Sequence, residues 1–256
     1  MELNSVITPR QTGGARFRLF CFPYAGGGAS FFHSWADEFP PGVSVCAVQL
    51  PGREGRSAEA PLQHVAPLVR QLTAELKPLL DKPFAVFGHS IGALVGFEFI
   101  RQLRRAKLPQ PLCFIASGLR APQLMSTLPP LNDLPEPELL GWLSQLDGTP
   151  RELLEDRELI SSLMPTLRAD LTVAASYGYE EEPPLGCKLS AYGGVGDPGA
   201  SREMLAAWAT HTSDRFRLRM FPGGHFYLNA TRTAALQSLK ADICEASEET
   251  SVLFGY

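Results

Sequence analysis

The sequence predicts a single α/β domain over residues 1–256, with a mostly parallel central sheet, helices on both faces and a helical lid inserted at about 119–184. Three observations carry that reading. Short apolar segments recur along the chain and most are followed by a helix-like segment, the alternation of strand and crossover helix found in a parallel sheet. A length of 256 residues with 45% hydrophobic side chains can bury a substantial core, which excludes disorder as the main condition of the chain. The run FAVFGHSIGALVGFEFI at 84–100 joins a strand-like half to a helix-like half through Ser90.

The first fourteen residues, MELNSVITPRQTGG, contain no apolar run of the signal-peptide kind, and their Gly and Pro content predicts a loose leader. RFRLFCF at 16–22 and VSVCAV at 43–48 follow as strands. HVAPLVRQLTAELKPLL at 64–80 has apolar residues at helical spacing and should cover one face of the sheet. FAVF at 84–87 is aromatic and branched, as a buried parallel strand requires, while IGALVGFEFIRQL has the length and flanking charge of a helix. LCFIAS, KLSAY and FRLRMF supply three more strands, and TAALQSLKADICEA near the end supplies another covering helix. Between LCFIAS and KLSAY the rhythm breaks. PEPELLGWLSQL, RELISSLMPTL and RADLTVAASYGYE read there as several amphipathic helices with no strand between them, the organisation of a lid.

Charge and cysteine usage narrow the function classes. The net charge of −4, with no basic tract beyond RQLRRAK at 101–107, gives no footprint for nucleic acid. The 84–100 run is too short and too polar for a membrane span, which needs about 20 apolar residues. Five widely spaced cysteines, Cys21, Cys46, Cys113, Cys187 and Cys244, lie mostly in apolar stretches. They fit reduced packing residues of a cytoplasmic protein rather than disulfides or metal ligands.

Ser90 stands between Gly88 and Gly92 where the strand turns into the helix. G-x-S-x-G at such a junction is the nucleophile elbow, which lifts a serine hydroxyl above the sheet and aims the helix N-terminus at the same space. A serine nucleophile needs a base within hydrogen-bond reach. His225 in FPGGHFYL directly follows the last strand, and ligands bind at the carboxyl ends of strands in open α/β sheets. His89 is oriented for packing, and His33, His64 and His211 fall on predicted helices. The orienting acid should lie after the preceding strand, where KLSAYGGVGDPGA supplies Asp197. Asp170 in LRADL is the rival, but it lies in the lid, a poor place from which to fix an imidazole. The glycine-rich loop FCFPYAGGGAS after the first central strand lacks the third glycine of a dinucleotide fingerprint and the lysine of a phosphate loop. It is suited instead to bringing a backbone N–H, that of Ala25, opposite the N–H of Ile91 to form an oxyanion hole.

FPYAGGG, LPGREGR, GHSIG, GTP at 148–150, RADL and PGGHFYL occur in the order seen in the stand-alone type II thioesterases of polyketide and non-ribosomal peptide synthesis, which this sequence resembles over nearly its whole length. That family is related to the vertebrate thioesterase that releases medium-chain fatty acids. Asp147 departs from the pattern, standing where the family usually has glycine. The resemblance implies an α/β-hydrolase fold acting as a monomer. It also implies hydrolysis of acyl groups from the phosphopantetheine arm of carrier proteins, with no cofactor besides that substrate arm. An oxygen-ester hydrolase or acyltransferase would use the same triad. A binding module on an inactive hydrolase scaffold is the non-enzyme alternative, against which the complete set of Ser, His, Asp and glycine loop stands.

Further residues are candidates for substrate contact. Arg53 and Arg56 follow the strand VSVCAV at the active edge and could meet the pantetheine phosphate or carrier acids, with an ion pair inside the loop as the competing reading. Met164 and its leucine neighbours are candidates for the wall of an acyl chamber that adapts to chains of different shape. RQLRRAK lies about 22 Å along the helix from Ser90, too far for the chemistry, and reads as a solvated helix terminus.

Overall fold

Each of the apolar segments becomes a strand in the computed structural model, which describes residues 5–7, 14–127, 131–144 and 157–246. The strands are β1 (Val6–Ile7), β2 (Phe17–Phe22), β3 (Val43–Val48), β4 (Phe84–His89), β5 (Cys113–Ser117), β6 (Lys188–Gly194) and β7 (Phe216–Phe221). They form one seven-stranded sheet in the order β1-β3-β2-β4-β5-β6-β7, with all neighbours parallel except β1 and β3. Alternate residues of the central strands enter opposite layers: Phe20, Phe22 and Val86 one core, and Leu19, Cys21 and Phe87 the other. A strand buried on both faces carries no polar alternation, which is why these segments read as continuous apolar runs.

The leader departs from expectation. Val6 and Ile7 pair antiparallel with Val48 and Ala47, and the Gln49 N–H donates to the Ser5 carbonyl at 2.9 Å. A strand of two residues is too short to show periodicity, so only its partner reveals it.

One face is covered by α1 (Val65–Leu76) and α2 (Ile91–Arg105), the other by a 3-10 segment at Ala29–Glu38 and by the helix Arg232–Ala246. Phe32 and Trp35 of the 3-10 segment meet Phe87 edge-on at ring separations of 6.1 and 4.9 Å. Helix α2 is buried along most of its length, as expected for a helix apolar nearly all round. Its C-terminal cations are not simply solvated. Arg101 is buried and bonds Glu98 at 2.5 Å, while Arg104 bonds Glu182 at 2.7 Å and Arg105 also pairs with Glu182. Burial raises the Glu182 carboxyl, but hydrogen bonds from the three arginines outweigh it and hold the group down at about 2. The cluster docks the chain as it leaves the insertion.

Within the insertion the described helices are α3 (Glu136–Ser144) and α4 (Arg157–Ala175). The two segments expected at 157–167 and 168–180 are one helix running through Pro165. Proline removes a bond to the carbonyl four residues earlier, and Ser161, which supplies that carbonyl, is exposed to water. Leu131, Leu139, Ile160, Met164, Leu167 and Leu171 form a core of their own. The GTP motif, Asp147 and Leu146 lie outside the described residues. All five cysteines are free thiols, four of them buried; burial pushes Cys46 up to about 11 and Cys187 to about 12, which makes them poor nucleophiles. Among the described residues, no helix is long and apolar enough to cross a membrane.

Candidate active site

Strands β2, β4, β5, β6 and β7 are neighbours in the sheet, so the loops leaving their carboxyl ends lie side by side. Ser90 follows β4 with φ 54° and ψ −126°, a conformation outside the ordinary L-residue regions that costs about 1–3 kcal/mol. The flanking glycines make the turn possible. A Cβ on Gly88 would lie 2.1 Å from the Gly92 carbonyl oxygen, and one on Gly92 would lie 2.3 Å from the carbonyl oxygen of Phe22. Gly92 therefore seats the first turn of α2 directly against the end of β2. We expect Gly92→Ala to destabilise the protein by about 1–3 kcal/mol, as overpacking does, and to slow turnover by shifting Ser90. Denaturant unfolding and kcat check this; an unchanged midpoint and rate would show that the contact can relax.

The β6 and β7 loops are bonded to each other before they reach Ser90. The N–H of Val195 donates to the Phe221 carbonyl at 2.9 Å and that of Gly196 to Gly223 at 2.8 Å. Gly223 takes φ 111°, a value that L side chains rarely adopt. This double loop aligns three side chains. The Ser90 hydroxyl lies 3.0 Å from His225 Nε2, and His225 Nδ1 lies 2.7 Å from Asp197 Oδ2. The other carboxylate oxygen of Asp197 accepts the Gly199 N–H at 2.8 Å, and the Asp197 side chain is fully shielded from solvent. An imidazole held at Nδ1 by a carboxylate presents an unprotonated Nε2 to the hydroxyl, which is what nucleophilic activation needs.

A cavity of about 110 Å³ opens beside Ser90 and His225. Ala25 and Ile91 line it on the Ser90 side, and Leu131, Trp142, Leu167 and Leu171 of the insertion line it opposite. A family model described as "Thioesterase domain" matches residues 17–243. The chain belongs to the thioesterase family. The thioesterase is 43% identical over 222 residues to the gramicidin S biosynthesis protein GrsT of Aneurinibacillus migulanus, covering 87% of each chain. It is 34% identical over 220 residues to the human medium-chain S-acyl fatty acid synthase thioesterase, covering 84% of this chain and 82% of that one. Among solved structures, the type II thioesterase BorB from the borrelidin biosynthetic cluster superposes with a TM-score of 0.87 at 35% identity, covering 94% and 98% of the two chains. The architecture is that of an α/β hydrolase, and the activity is hydrolysis of thioesters.

Three of the residues singled out for substrate contact sit elsewhere in the thioesterase. Arg53 is 6% exposed and Arg56 is 4% exposed, so neither guanidinium is free to meet a carrier. Arg53 is paired with both oxygens of Asp170, at 2.7 and 2.8 Å, and Arg56 with Glu59 and Glu75 at 2.6 and 3.1 Å. Inside the protein a buried guanidinium must be matched by carboxylates, and here α4 supplies that of Arg53 while the loop and α1 supply those of Arg56. Met164 packs with Leu131, Leu139 and Ile160 in the insertion's core rather than lining the cavity. Leu167, Asp170, Leu171, Ala174 and Ala175 of α4 form the cavity wall instead.

The structure also brings to the site residues that sequence alone gave no place there. Gly118 follows β5 with φ 63°, and a Cβ there would lie 2.7 Å from Cε1 of His89 and 3.6 Å from Cε1 of His225. His89 is fully buried, with Nδ1 2.8 Å from the Ser117 hydroxyl, itself 2.7 Å from the Tyr227 hydroxyl. Burial, helped by the nearby His225, holds the His89 imidazole well below its ordinary value and therefore neutral. Tyr24 and Phe226 meet edge-on at 4.9 Å, and Phe226 meets His225 at 5.2 Å. This aromatic wall packs against the His225 imidazole. Tyr24 and Phe226 were present in FPYAGGG and PGGHFYL, but nothing in spacing alone distinguishes a ring beside the site from a core ring.

Proposed function

We propose that this thioesterase removes acyl groups from the phosphopantetheine arm of carrier-protein domains, in editing or release during polyketide, non-ribosomal peptide or fatty acid synthesis. The observation that carries the proposal is the continuous line from Ser90 through His225 to Asp197 beside a largely apolar cavity. Ser90 is the nucleophile, His225 its base, and Asp197 the group that orients His225. The backbone N–H groups of Ala25 and Ile91 receive the oxyanion. The chain works as a monomer in the cytoplasm, and the insertion at about 119–184 is the lid of its single domain.

The reaction then runs in two halves. Nε2 of His225 takes the Ser90 proton as Oγ bonds to the thioester carbon, and the tetrahedral oxyanion lies between two preorganised donors, each worth a few kcal/mol. The C–S bond breaks and the pantetheine sulfur leaves. A thiol pKa near 8.5 means that bond breaking needs little proton transfer in advance, and the departing thiolate then takes the proton from Nε2, which leaves the imidazole neutral for the second half. Water, deprotonated by the same Nε2, attacks the acyl-serine, and Ser90 recovers its proton as the free acid departs. The chemistry asks for no metal or cofactor.

A panel of carrier-bound acyl thioesters, run beside the matching oxygen esters with and without alcohol acceptors, tests the reading. Release of free acid and free carrier, faster than oxygen-ester cleavage, is expected; preferred oxygen-ester cleavage or acyl transfer to the alcohol would overturn it. The same panel reads the chamber. Ala174, where α4 lines the cavity, should accept no bulk without cost: Ala174→Phe is expected to lower the rate for medium-length acyl groups, relative to acetyl, by roughly tenfold or more, the order that a hydrophobic pocket discriminates. An unchanged chain-length profile would place the acyl chamber elsewhere.

A further inference from the structure

Asp170 is buried at 3% exposure, faces the cavity and makes no bond to His225. Its carboxylate is fully used by backbone and arginine. Oδ2 accepts the Gly26 N–H at 2.7 Å and an N–H of Arg53 at 2.7 Å, and Oδ1 accepts the second Arg53 nitrogen at 2.8 Å. Arg53 in turn donates to the Gly27 carbonyl at 3.1 Å and to the Pro51 carbonyl at 3.3 Å. The base of the same loop is held by Gln49, which accepts the Ala29 N–H at 2.9 Å and donates to the Arg53 carbonyl at 3.0 Å. Gly26 has φ 74°, so its amide is turned toward α4 by a conformation that only glycine adopts readily.

We propose that Asp170 is a positioning residue of the oxyanion hole, holding from the lid helix the Ala25–Gly26 peptide so that the Ala25 N–H points at the reacting carbonyl oxygen. The inference rests on the reading of Ser90 as nucleophile and Ala25 as donor. The Ala25–Gly26 peptide is bonded to Asp170 through the Gly26 N–H and the Gly27–Gly28 peptide to Arg53 through the Gly27 carbonyl, so neither can rotate independently of α4. Charge adds a second requirement. A bare carboxylate beside a developing oxyanion would oppose it, and the bidentate Arg53 cancels that charge while sharing the same oxygen with Gly26. The part of α4 around Asp170 is further held against this loop by Thr166, whose hydroxyl donates to the Gly52 carbonyl at 2.7 Å.

Asp170→Asn tests the assignment because an amide offers one acceptor oxygen where three N–H groups need two. The expected result is a fall in kcat of about 100-fold, the loss seen when one oxyanion donor is misplaced, with KM changed by less than about threefold. Two ligands separate positioning from general damage: an alkyl trifluoromethyl ketone, which forms a tetrahedral adduct with the serine, and a non-hydrolysable acyl amide, which binds without one. Ketone affinity should fall by the same factor as kcat, while amide affinity and the circular dichroism spectrum stay as in the unaltered enzyme. Equal loss of both ligands, or a kcat loss with ketone affinity retained, would overturn the proposal. Should Asp170→Asn fail to fold, Arg53→Lys carries the test, since a lysine keeps the charge but cannot bridge both Asp170 oxygens and Gly27; the same split is expected at about tenfold. A ketone that binds the Ser90→Ala variant as tightly as the unaltered enzyme would overturn the underlying site reading, and this inference with it, whereas a Ser90-dependent ketone indifferent to Asp170 would overturn this inference alone.

Discussion

Ser90→Ala is expected to yield a folded protein that has lost thioester hydrolysis by up to roughly 10⁶-fold, the scale on which removal of a triad nucleophile acts. The hydroxyl's contact is with His225 Nε2 at 3.0 Å, at the edge of a cavity rather than in packed core, so its removal empties no core volume. The φ of 54° strains alanine as it does serine, and the melting temperature should therefore move little. His225→Ala should cost about as much, and the double variant scarcely more than either single one, because base and nucleophile act as a unit. Single-turnover rates with an acyl thioester, together with stoichiometric labelling by a fluorophosphonate that Ser90→Ala abolishes, provide the check. Residual activity well above a trace, or a double variant far slower than both singles, would remove Ser90 from its role.

Asp197→Asn is the second large effect, a loss of up to roughly 10⁴-fold by analogy with serine proteases. The local bonds say why. Oδ1 of Asp197 accepts the Gly199 N–H at 2.8 Å while Oδ2 faces His225 Nδ1 at 2.7 Å. An asparagine keeps its oxygen toward Gly199, where a donor waits, and so turns its NH₂ to Nδ1. The imidazole must then accept at Nδ1 and carry its proton on Nε2, and Nε2 cannot take the proton of Ser90. Burial of Arg120 lowers its guanidinium, with Asp197 opposing that shift, and its Nε bonds the Gly199 carbonyl at 3.2 Å, so the loop itself should keep its shape. The comparison that decides the acid is Asp197→Asn against Asp170→Asn in kcat. If the Asp170 variant were the slower, the triad assignment would be wrong.

Sequence and structure divide this protein along a physical line. The strands, the elbow and the positions of Ser90, His225 and Asp197 were legible in the chain because each depends on neighbours in sequence. An apolar run buried on both sheet faces is local, a glycine two residues either side of a serine is local, and a residue just after a parallel strand is delivered to the carboxyl edge whichever way the strands are ordered. The motif glycines could be located from sequence, although their closest contacts, such as Gly92 against the Phe22 carbonyl, come from the neighbouring strand.

What sequence left open were the destinations of long side chains. Arg53 follows a strand and by position belongs to the active edge, yet its partner is Asp170, on a helix of the insertion; a buried charge goes where its counter-charge is, and nothing in a one-dimensional pattern announces that pairing. Asp170 itself looked like a rival acid, and tertiary contacts alone assign it to the Gly26 amide. Met164 shares the apolar stripe of α4 and the insertion's core with Leu167 and Leu171, yet of the three Leu167 and Leu171 line the cavity and Met164 does not, because periodicity identifies a buried face without saying what each turn of that face meets. Two residues of the leader became a strand only because β3 offered an edge to pair with. By itself the sequence determined the strands, the elbow and the placement of Ser90, Asp197 and His225 just after their strands, since backbone geometry and local turns specify these. The tertiary structure decided which charges are consumed inside the fold and which apolar side chains face substrate, because those follow from contacts between segments far apart in the chain.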